Sequence, residues 1–136
     1  MKGEELLRDN YCFVCGKENP KGMHLTFKRE NGKVYARFSL PEYYQGYNRV
    51  IHGGIISLIL DEAMAYLQSL KERFLTGKLT VKFHTPLLVG EEVEVEAWVE
   101  EERKRVKITK AVMKKTKSGK KVAEAEAIMF VLKEKE

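Results

Sequence analysis

The chain has 136 residues, of which 43% are hydrophobic and 33% charged, which fits one globular domain and excludes a largely disordered chain. Its net charge of +5 comes from 25 Lys and Arg residues against 20 Asp and Glu residues. The excess is concentrated in residues 103–121, which contain ten basic residues and no acidic residue, so an anionic ligand is expected to bind there.

No export or membrane-spanning segment is expected. The N-terminus MKGEELLRDN is charged and precedes no long apolar stretch, unlike an export signal. The longest apolar region, Ile55 to Leu70, is interrupted by polar residues and falls short of the roughly 18 apolar residues of a membrane span. We therefore expect a cytoplasmic protein with no membrane partner and with reduced cysteines.

Turn-forming residues dominate residues 1–22, which we interpret as a loop-rich lead-in to a domain over residues 23–136. Two strands are predicted over Met23–Arg29 and Lys33–Leu40. The turn between them, Glu30-Asn31-Gly32, contains the Asn-Gly pair that is typical of hairpins.

One long helix is predicted from Gly53 to about Arg73, after an irregular loop at residues 41–51. Its apolar residues cover most of its circumference, so the helix is expected to be buried on nearly every side. After Gly77, apolar residues recur at alternate positions, which predicts four more strands. Their apolar residues are Leu79, Val81 and Phe83; Val93, Val95, Ala97 and Val99; Val106, Ile108 and Val112; and Ala123, Ala125, Ala127, Met129 and Val131.

The order of two strands, one long helix and four strands predicts an α+β fold. About six strands can bury a helix that is apolar on nearly every side only if their sheet curves around it. We therefore expect a curved antiparallel sheet wrapped around one central helix. The open edges of such a sheet commonly continue into a second subunit.

The start of the helix, His52-Gly53-Gly54, is the first candidate site. Two glycines let a ligand approach the backbone closely, and the free N–H groups of a first helical turn bind an anion or a polarised carbonyl oxygen. That is the arrangement of an oxyanion hole. The alternative is that Gly-Gly only permits a tight connection from loop to helix.

Asp61 is the second candidate, because it lies in the middle of the most apolar helix. An ionised carboxylate there is costly unless it is paired or used in catalysis, and a structural hydrogen bond is the alternative. Asp61 follows Gly53 by eight residues, or about 12 Å along the helix axis. If both residues act on one substrate, the two helices come from different subunits, which predicts a homodimer with two shared sites.

The motif His52-Gly53-Gly54, followed by six residues and Asp61, resembles the hotdog-fold acyl-CoA thioesterases of the phenylacetate-degradation type. The lead-in, with Cys12-Phe13-Val14-Cys15-Gly16 and Asn19-Pro20, is similar to the branch that contains the thioesterase superfamily members. The resemblance covers roughly residues 11–132. It implies a hotdog fold and the hydrolysis of acyl-CoA to free acid and CoA by a homodimer or a dimer of dimers.

The resemblance also implies roles for single residues. The Gly53 amide polarises the thioester carbonyl, and His52 and Gly54 shape the loop around it. Asp61 of the partner subunit acts as nucleophile or as general base toward water, and Thr76 positions that water. A non-catalytic acyl-CoA-binding module of the same fold is the alternative, although such a module would not need Asp61.

Two further features are candidates for substrate binding. Many relatives carry an Asn shortly before the HGG motif, and Gln45 stands near that position here. Arg103 and Arg105, in the basic segment, are candidates for contacts with the phosphates of coenzyme A, and a solvated strand face is the alternative. Nucleic acid is not an expected partner, because no aromatic residues alternate with these bases.

The pair Cys12 and Cys15 also matches the spacing of zinc and redox sites. A structural zinc site needs four ligands, and only His24, His52 and His84 remain as nitrogen donors. We therefore expect these cysteines to pack the lead-in against the sheet, and a zinc ion shared through a His or between subunits is the alternative. The proposed reaction needs no metal and no cofactor, so none is expected.

Overall fold

The computed structural model describes residues 8–69 and 71–132, and no helix in that part of the chain is long and apolar enough to cross a membrane. A short 3₁₀ helix, Glu42–Tyr44, lies in the loop before the α-helix. The other elements, in chain order, are β1 (Lys28–Glu30), β2 (Lys33–Phe38), α1 (Gly53–Ala65), β3 (Phe74–Phe83), β4 (Val93–Glu102), β5 (Val106–Lys115) and β6 (Lys121–Val131).

The six strands form one antiparallel sheet in the order β1-β2-β4-β5-β6-β3. Helix α1 packs against β2, β3, β4, β5 and β6. The predicted α+β arrangement, an antiparallel sheet of six strands around one helix, is therefore confirmed. The centre of the core consists of fully buried side chains from α1 and four strands: Ile59, Leu60, Met64, Val34, Val93, Val95, Met113 and Met129.

The hairpin predicted at Asn31-Gly32 is present, with φ angles of 51° and 77° at the two residues, as a two-residue type I′ turn requires. Its first strand, β1, is shorter than the predicted Met23–Arg29. Residues 23–27 lie beside the lead-in instead, and the Met23 N–H donates to the carbonyl of Phe13 at 2.8 Å. Contacts with the lead-in therefore replace pairing within the sheet.

Helix α1 ends at Ala65, well before the predicted end near Arg73. The Ala65 carbonyl accepts both the backbone N–H of Gln68, at 3.3 Å, and its side-chain Nε2, at 2.8 Å. These bonds close the last turn of the helix. The chain then enters β3 at Phe74, so this strand begins before Gly77 rather than after it.

The apolar residues that alternate along β5 do not lie on its buried face. Val106, Ile108 and Val112 are only partly buried and lie on the side of the strand away from α1. The helix requires space on the inner face, where small residues such as Ala111 and its partner Ala125 pair across β5 and β6. The buried residues of β5 are Lys107, Thr109, Ala111 and Met113.

Candidate active site

The loop before α1 ends in a capped helix start. His52 is the N-cap residue, and its Nδ1 accepts the N–H of Gly54 at 2.8 Å. Its carbonyl accepts the N–H groups of Ile55 and Ile56 at 3.0 and 3.2 Å. Within residues 8–69 and 71–132, the N–H of Gly53 has no hydrogen-bond partner. This N–H is therefore available to a ligand at the positive end of the helix dipole.

The loop itself folds back on His52. A Cβ at Gly46 would lie 3.3 Å from the His52 Cα, and the His52 N–H donates to the Tyr44 carbonyl at 2.9 Å. The side-chain Oε1 of Gln45 accepts the N–H of Arg49 at 3.2 Å. Gln45 therefore helps to close its own loop, and its contact with substrate stays a prediction.

Asp61 and Thr76 are brought together by the packing of β3 against α1. The Thr76 hydroxyl donates to Asp61 Oδ1 at 2.7 Å, and both side chains are half-buried. Thr76 directly precedes a bulge in β3 at which Gly77 is the extra residue. The ring of Phe130 lies over Gly77, where a Cβ would be 1.8 Å from a ring carbon. The hydrogen bond orients the Asp61 carboxylate, whose Oδ2 accepts no hydrogen bond from the described residues.

Asp61 and Thr76 line a groove of about 550 Å³ whose other walls come from the lead-in, the end of α1 and the start of β3. No sequence motif identifies these wall residues. They come together only because the lead-in crosses the end of the helix. Those with the largest side chains are Arg8, Tyr11, Gln68, Arg73, Phe74 and Leu75.

The helix start and Asp61 do not meet within one chain. Both lie on α1, separated by about 12 Å along the axis, and none of His52, Gly53 and Gly54 lines the groove. Strand β3 runs past both places. Its beginning contacts Asp61 through Thr76. At its end lies Phe83, with a ring carbon 3.4 Å from the position of a Cβ on Gly53.

A cluster of polar side chains joins the lead-in to the neighbouring side of α1. The Cys12 thiol donates to Glu62 Oε2 at 2.8 Å. The Arg8 guanidinium lies 3.2 Å from the same oxygen and 3.3 Å from Cys15 Sγ. Burial raises the pKa of the Cys15 thiol and of the Tyr66 hydroxyl to about 12. Both groups therefore remain protonated at neutral pH.

Arg103 and Arg105 are exposed at the tip of the hairpin between β4 and β5. The Nε of Arg103 donates to Glu101 Oε1 at 2.9 Å. The Arg105 carbonyl accepts the N–H of Val131. The N–H of the following residue, Leu132, donates to the Arg73 carbonyl at 2.8 Å. The hairpin tip therefore lies at the end of the sheet that carries the groove, close in the fold to the groove residue Arg73.

Residues 48–130 match the family model described as thioesterase superfamily. These residues include the helix start, Asp61 and Thr76. No curated protein matches the sequence.

Solved structures share the fold. A thioesterase superfamily protein matches with a TM-score of 0.82 at 21% identity, and the match covers 88% of this chain but only 62% of that protein. The Streptococcus mutans protein smu.793, bound to acetyl-CoA, matches with a TM-score of 0.73 at 18% identity, covering 82% of this chain and 91% of that one. The Escherichia coli PaaI protein from the phenylacetic acid degradation operon matches with a TM-score of 0.71 at 17% identity, covering 78% of each chain. The fold is therefore the predicted hotdog fold.

Proposed function

The chain belongs to the thioesterase superfamily, and on that premise we propose that it hydrolyses acyl-CoA thioesters to a carboxylic acid and coenzyme A. The observation that carries the proposal is the half-buried carboxylate of Asp61, which Thr76 orients at 2.7 Å in the wall of an open groove. A carboxylate, a water molecule and an oxyanion donor are sufficient for this reaction, so the proposal includes no metal or organic cofactor.

Asp61 supplies the attacking group by one of two routes. As general base, it takes a proton from a water molecule whose oxygen attacks the thioester carbonyl carbon. As nucleophile, it attacks that carbon itself, and water then opens the resulting anhydride. In both routes the C–S bond breaks, the sulfur of coenzyme A leaves as a thiolate that is then protonated, and negative charge develops on the carbonyl oxygen.

The developing negative charge is stabilised by the N–H of Gly53. This N–H lies at the first position of α1 and has no hydrogen-bond partner in the described part of the chain. The positive end of the helix dipole adds to the stabilisation of an oxyanion at this position. His52 and Gly54 hold the helix start in place through their hydrogen bond of 2.8 Å.

The two halves of the site come from different subunits in this proposal. In the described part of the chain, β3 is an edge strand paired only with β6. Its residues Leu79 and Phe83 are paired with inner-face residues of β6, yet they are 37% and 53% exposed. A two-fold contact along this edge would place the beginning of one β3 beside the end of the other. Asp61 of one subunit would then face Gly53 of its partner, either in a dimer or in a dimer of dimers.

Coenzyme A would lie with its phosphates toward the hairpin tip. Arg73 lines the groove, and Arg103 and Arg105 are exposed at the same end of the sheet. Guanidinium groups form charge-assisted hydrogen bonds with phosphate oxygens. The similar Streptococcus mutans protein has been solved with acetyl-CoA bound, which supports coenzyme A as the carrier in this fold.

The test is a thiol-release assay on a panel of short, medium, long and aromatic acyl-CoA esters. The wild-type chain is expected to release coenzyme A from at least one ester. Asp61→Asn is expected to lower the rate by about a hundredfold or more, because the amide can neither take a proton from water nor attack. Glu30→Gln, at an exposed carboxylate of β1 that does not line the groove, is the matched control and is expected to retain activity.

Undiminished release by Asp61→Asn would contradict the mechanism. Tight binding of acyl-CoA by the wild-type chain without turnover of any ester would instead favour the non-catalytic binding module.

A further inference from the structure

The lead-in and α1 bring three metal-ligating side chains together. Cys12 Sγ, Cys15 Sγ and a carboxylate oxygen of Glu62 all lie within 4.8 Å of one another. Cys12 Sγ lies 2.8 Å from Glu62 Oε2. Adjacent ligands of a tetrahedral zinc ion with Zn–S bonds of 2.3 Å lie about 3.5 to 3.8 Å apart. Small side-chain rotations are therefore enough to place all three atoms around one ion.

The backbone that carries these ligands is held in place before any ion binds. The turn from Cys12 to Cys15 is closed by the N–H of Gly16, which donates to the Cys12 carbonyl at 2.8 Å. Val14, inside the turn, is 2% exposed and belongs to the core. Glu62 lies on α1, and its side chain is only 12% exposed. A preformed ligand set reduces the entropy lost when an ion binds.

The charges of the cluster suit a dication with soft ligands. Two thiolates and one carboxylate carry three negative charges, of which a zinc ion neutralises two. The Arg8 guanidinium, 3.2 Å from Glu62 Oε2 and 3.3 Å from Cys15 Sγ, neutralises the third. Thiolate ligands select zinc over magnesium or calcium, which prefer oxygen. The set of two cysteines is too small for an iron–sulfur cluster held by four.

We propose that Cys12, Cys15 and Glu62 bind one zinc ion, which fastens the lead-in to α1 one residue from Asp61. Water supplies the fourth ligand, as in zinc sites with three protein ligands. Binding displaces the protons of the two thiols, including the one that Cys12 shares with Glu62. In this proposal the ion ties a wall of the groove to the helix that carries Asp61. Glu62 lies 50 residues from Cys12 in the sequence, so the spacing of the two cysteines does not indicate it as a third ligand.

The test measures metal binding directly and does not depend on thioesterase activity. The full chain is purified with a phosphine reductant, stripped with a chelator and titrated with zinc, and bound zinc is measured by elemental analysis. One zinc per chain and a higher melting temperature with zinc are expected. Titration with Co²⁺ is expected to produce the strong visible absorption of a tetrahedral site with thiolate ligands.

Three variants test which side chains hold the ion. The double variant Cys12→Ser with Cys15→Ser is expected to lose stoichiometric binding, and Glu62→Gln is expected to weaken it at least tenfold. Glu18→Gln, an exposed glutamate of the same lead-in, is the matched control and is expected to bind as the wild type does. Zinc binding far below one per chain, or binding that survives in the folded double-serine variant, would overturn the proposal.

Discussion

At the scale of single residues, the proposed oxyanion donor, the N–H of Gly53, and the proposed base, Asp61, are made available to a ligand in different ways. The N–H of Gly53 is free because a helix leaves its first donors without intrahelical partners, and the His52 side chain satisfies Gly54 instead. The Asp61 carboxylate is oriented by a hydroxyl from another element, Thr76. Each feature can be removed with little change to the surrounding backbone.

Gly53→Pro is expected to lower kcat/KM by about a hundredfold, because it removes one oxyanion donor. Proline is well tolerated at the first position of a helix, and His52, at φ −60° and ψ 134°, already has the conformation that precedes proline. Gly53→Ala is the matched control, since it keeps the N–H and its Cβ would meet Phe83 at an ordinary 3.4 Å. Equal losses in both variants of the thiol-release assay would contradict the role of the amide.

Thr76→Val removes the hydroxyl that donates to Asp61 Oδ1 while keeping the shape of the side chain. We expect kcat to fall about tenfold or more with little change in KM, because the carboxylate loses its orientation while the groove keeps its walls. Thr76→Ser restores a hydroxyl at the same position and is expected to recover most of kcat. A change confined to KM would indicate that Thr76 contacts substrate without orienting Asp61.

At the scale of elements, the lead-in depends on a turn with no room for a side chain at Gly16. A Cβ there would lie 2.3 Å from the backbone N of Cys12 and 2.7 Å from the carbonyl oxygens of Asn10 and Cys12. Backbone atoms in a hydrogen-bonded turn cannot move aside without breaking it. The turn therefore requires glycine for close packing, and Gly16 has an ordinary negative φ.

Gly16→Ala is expected to lower the free energy of unfolding by about 1–3 kcal/mol, the typical cost of overpacking. The melting temperature should fall, and limited proteolysis should cut the lead-in faster than it does in the wild type. Gly53→Ala is the matched control for stability, because its Cβ has only ordinary contacts. An unchanged melting temperature of Gly16→Ala would show that the turn opens at little cost.

At the scale of the whole molecule, the proposed site is formed by residues of two chains. Asp61→Asn and Gly53→Pro each damage a different half of it. A dimer formed from one subunit of each kind would contain one site with both halves intact and one site with both halves damaged. Activity restored by mixing therefore distinguishes a shared site from a site within one chain.

When the two inactive variants are coexpressed, or unfolded and refolded together, about a quarter of wild-type activity is expected. Random pairing makes half of the dimers mixed, and half of the sites in each mixed dimer are intact. Each variant refolded alone is the control. Activity no higher than the mean of the two controls, or a monomer at assay concentration in sedimentation, would contradict the shared site.

Local patterns in the sequence determined much of the outcome. The Asn31-Gly32 turn, the start of α1 at Gly53 and the alternation of β4 and β6 all depend on residues within a few positions of one another. These features can be predicted from the sequence, because turn geometry, helix capping and strand periodicity depend on neighbouring residues. The match of residues 48–130 to the thioesterase superfamily agrees with the family expected from the HGG motif and Asp61.

The contacts between distant side chains depend on tertiary packing and could not be predicted from the sequence. The space that α1 occupies determines which residues of β5 face the core. Tertiary packing also placed Thr76 on Asp61 and the two cysteines on Glu62, across separations of 15 and about 50 residues. These contacts depend on how helices and strands pack against each other, and that packing cannot be inferred from the spacing of residues along the chain.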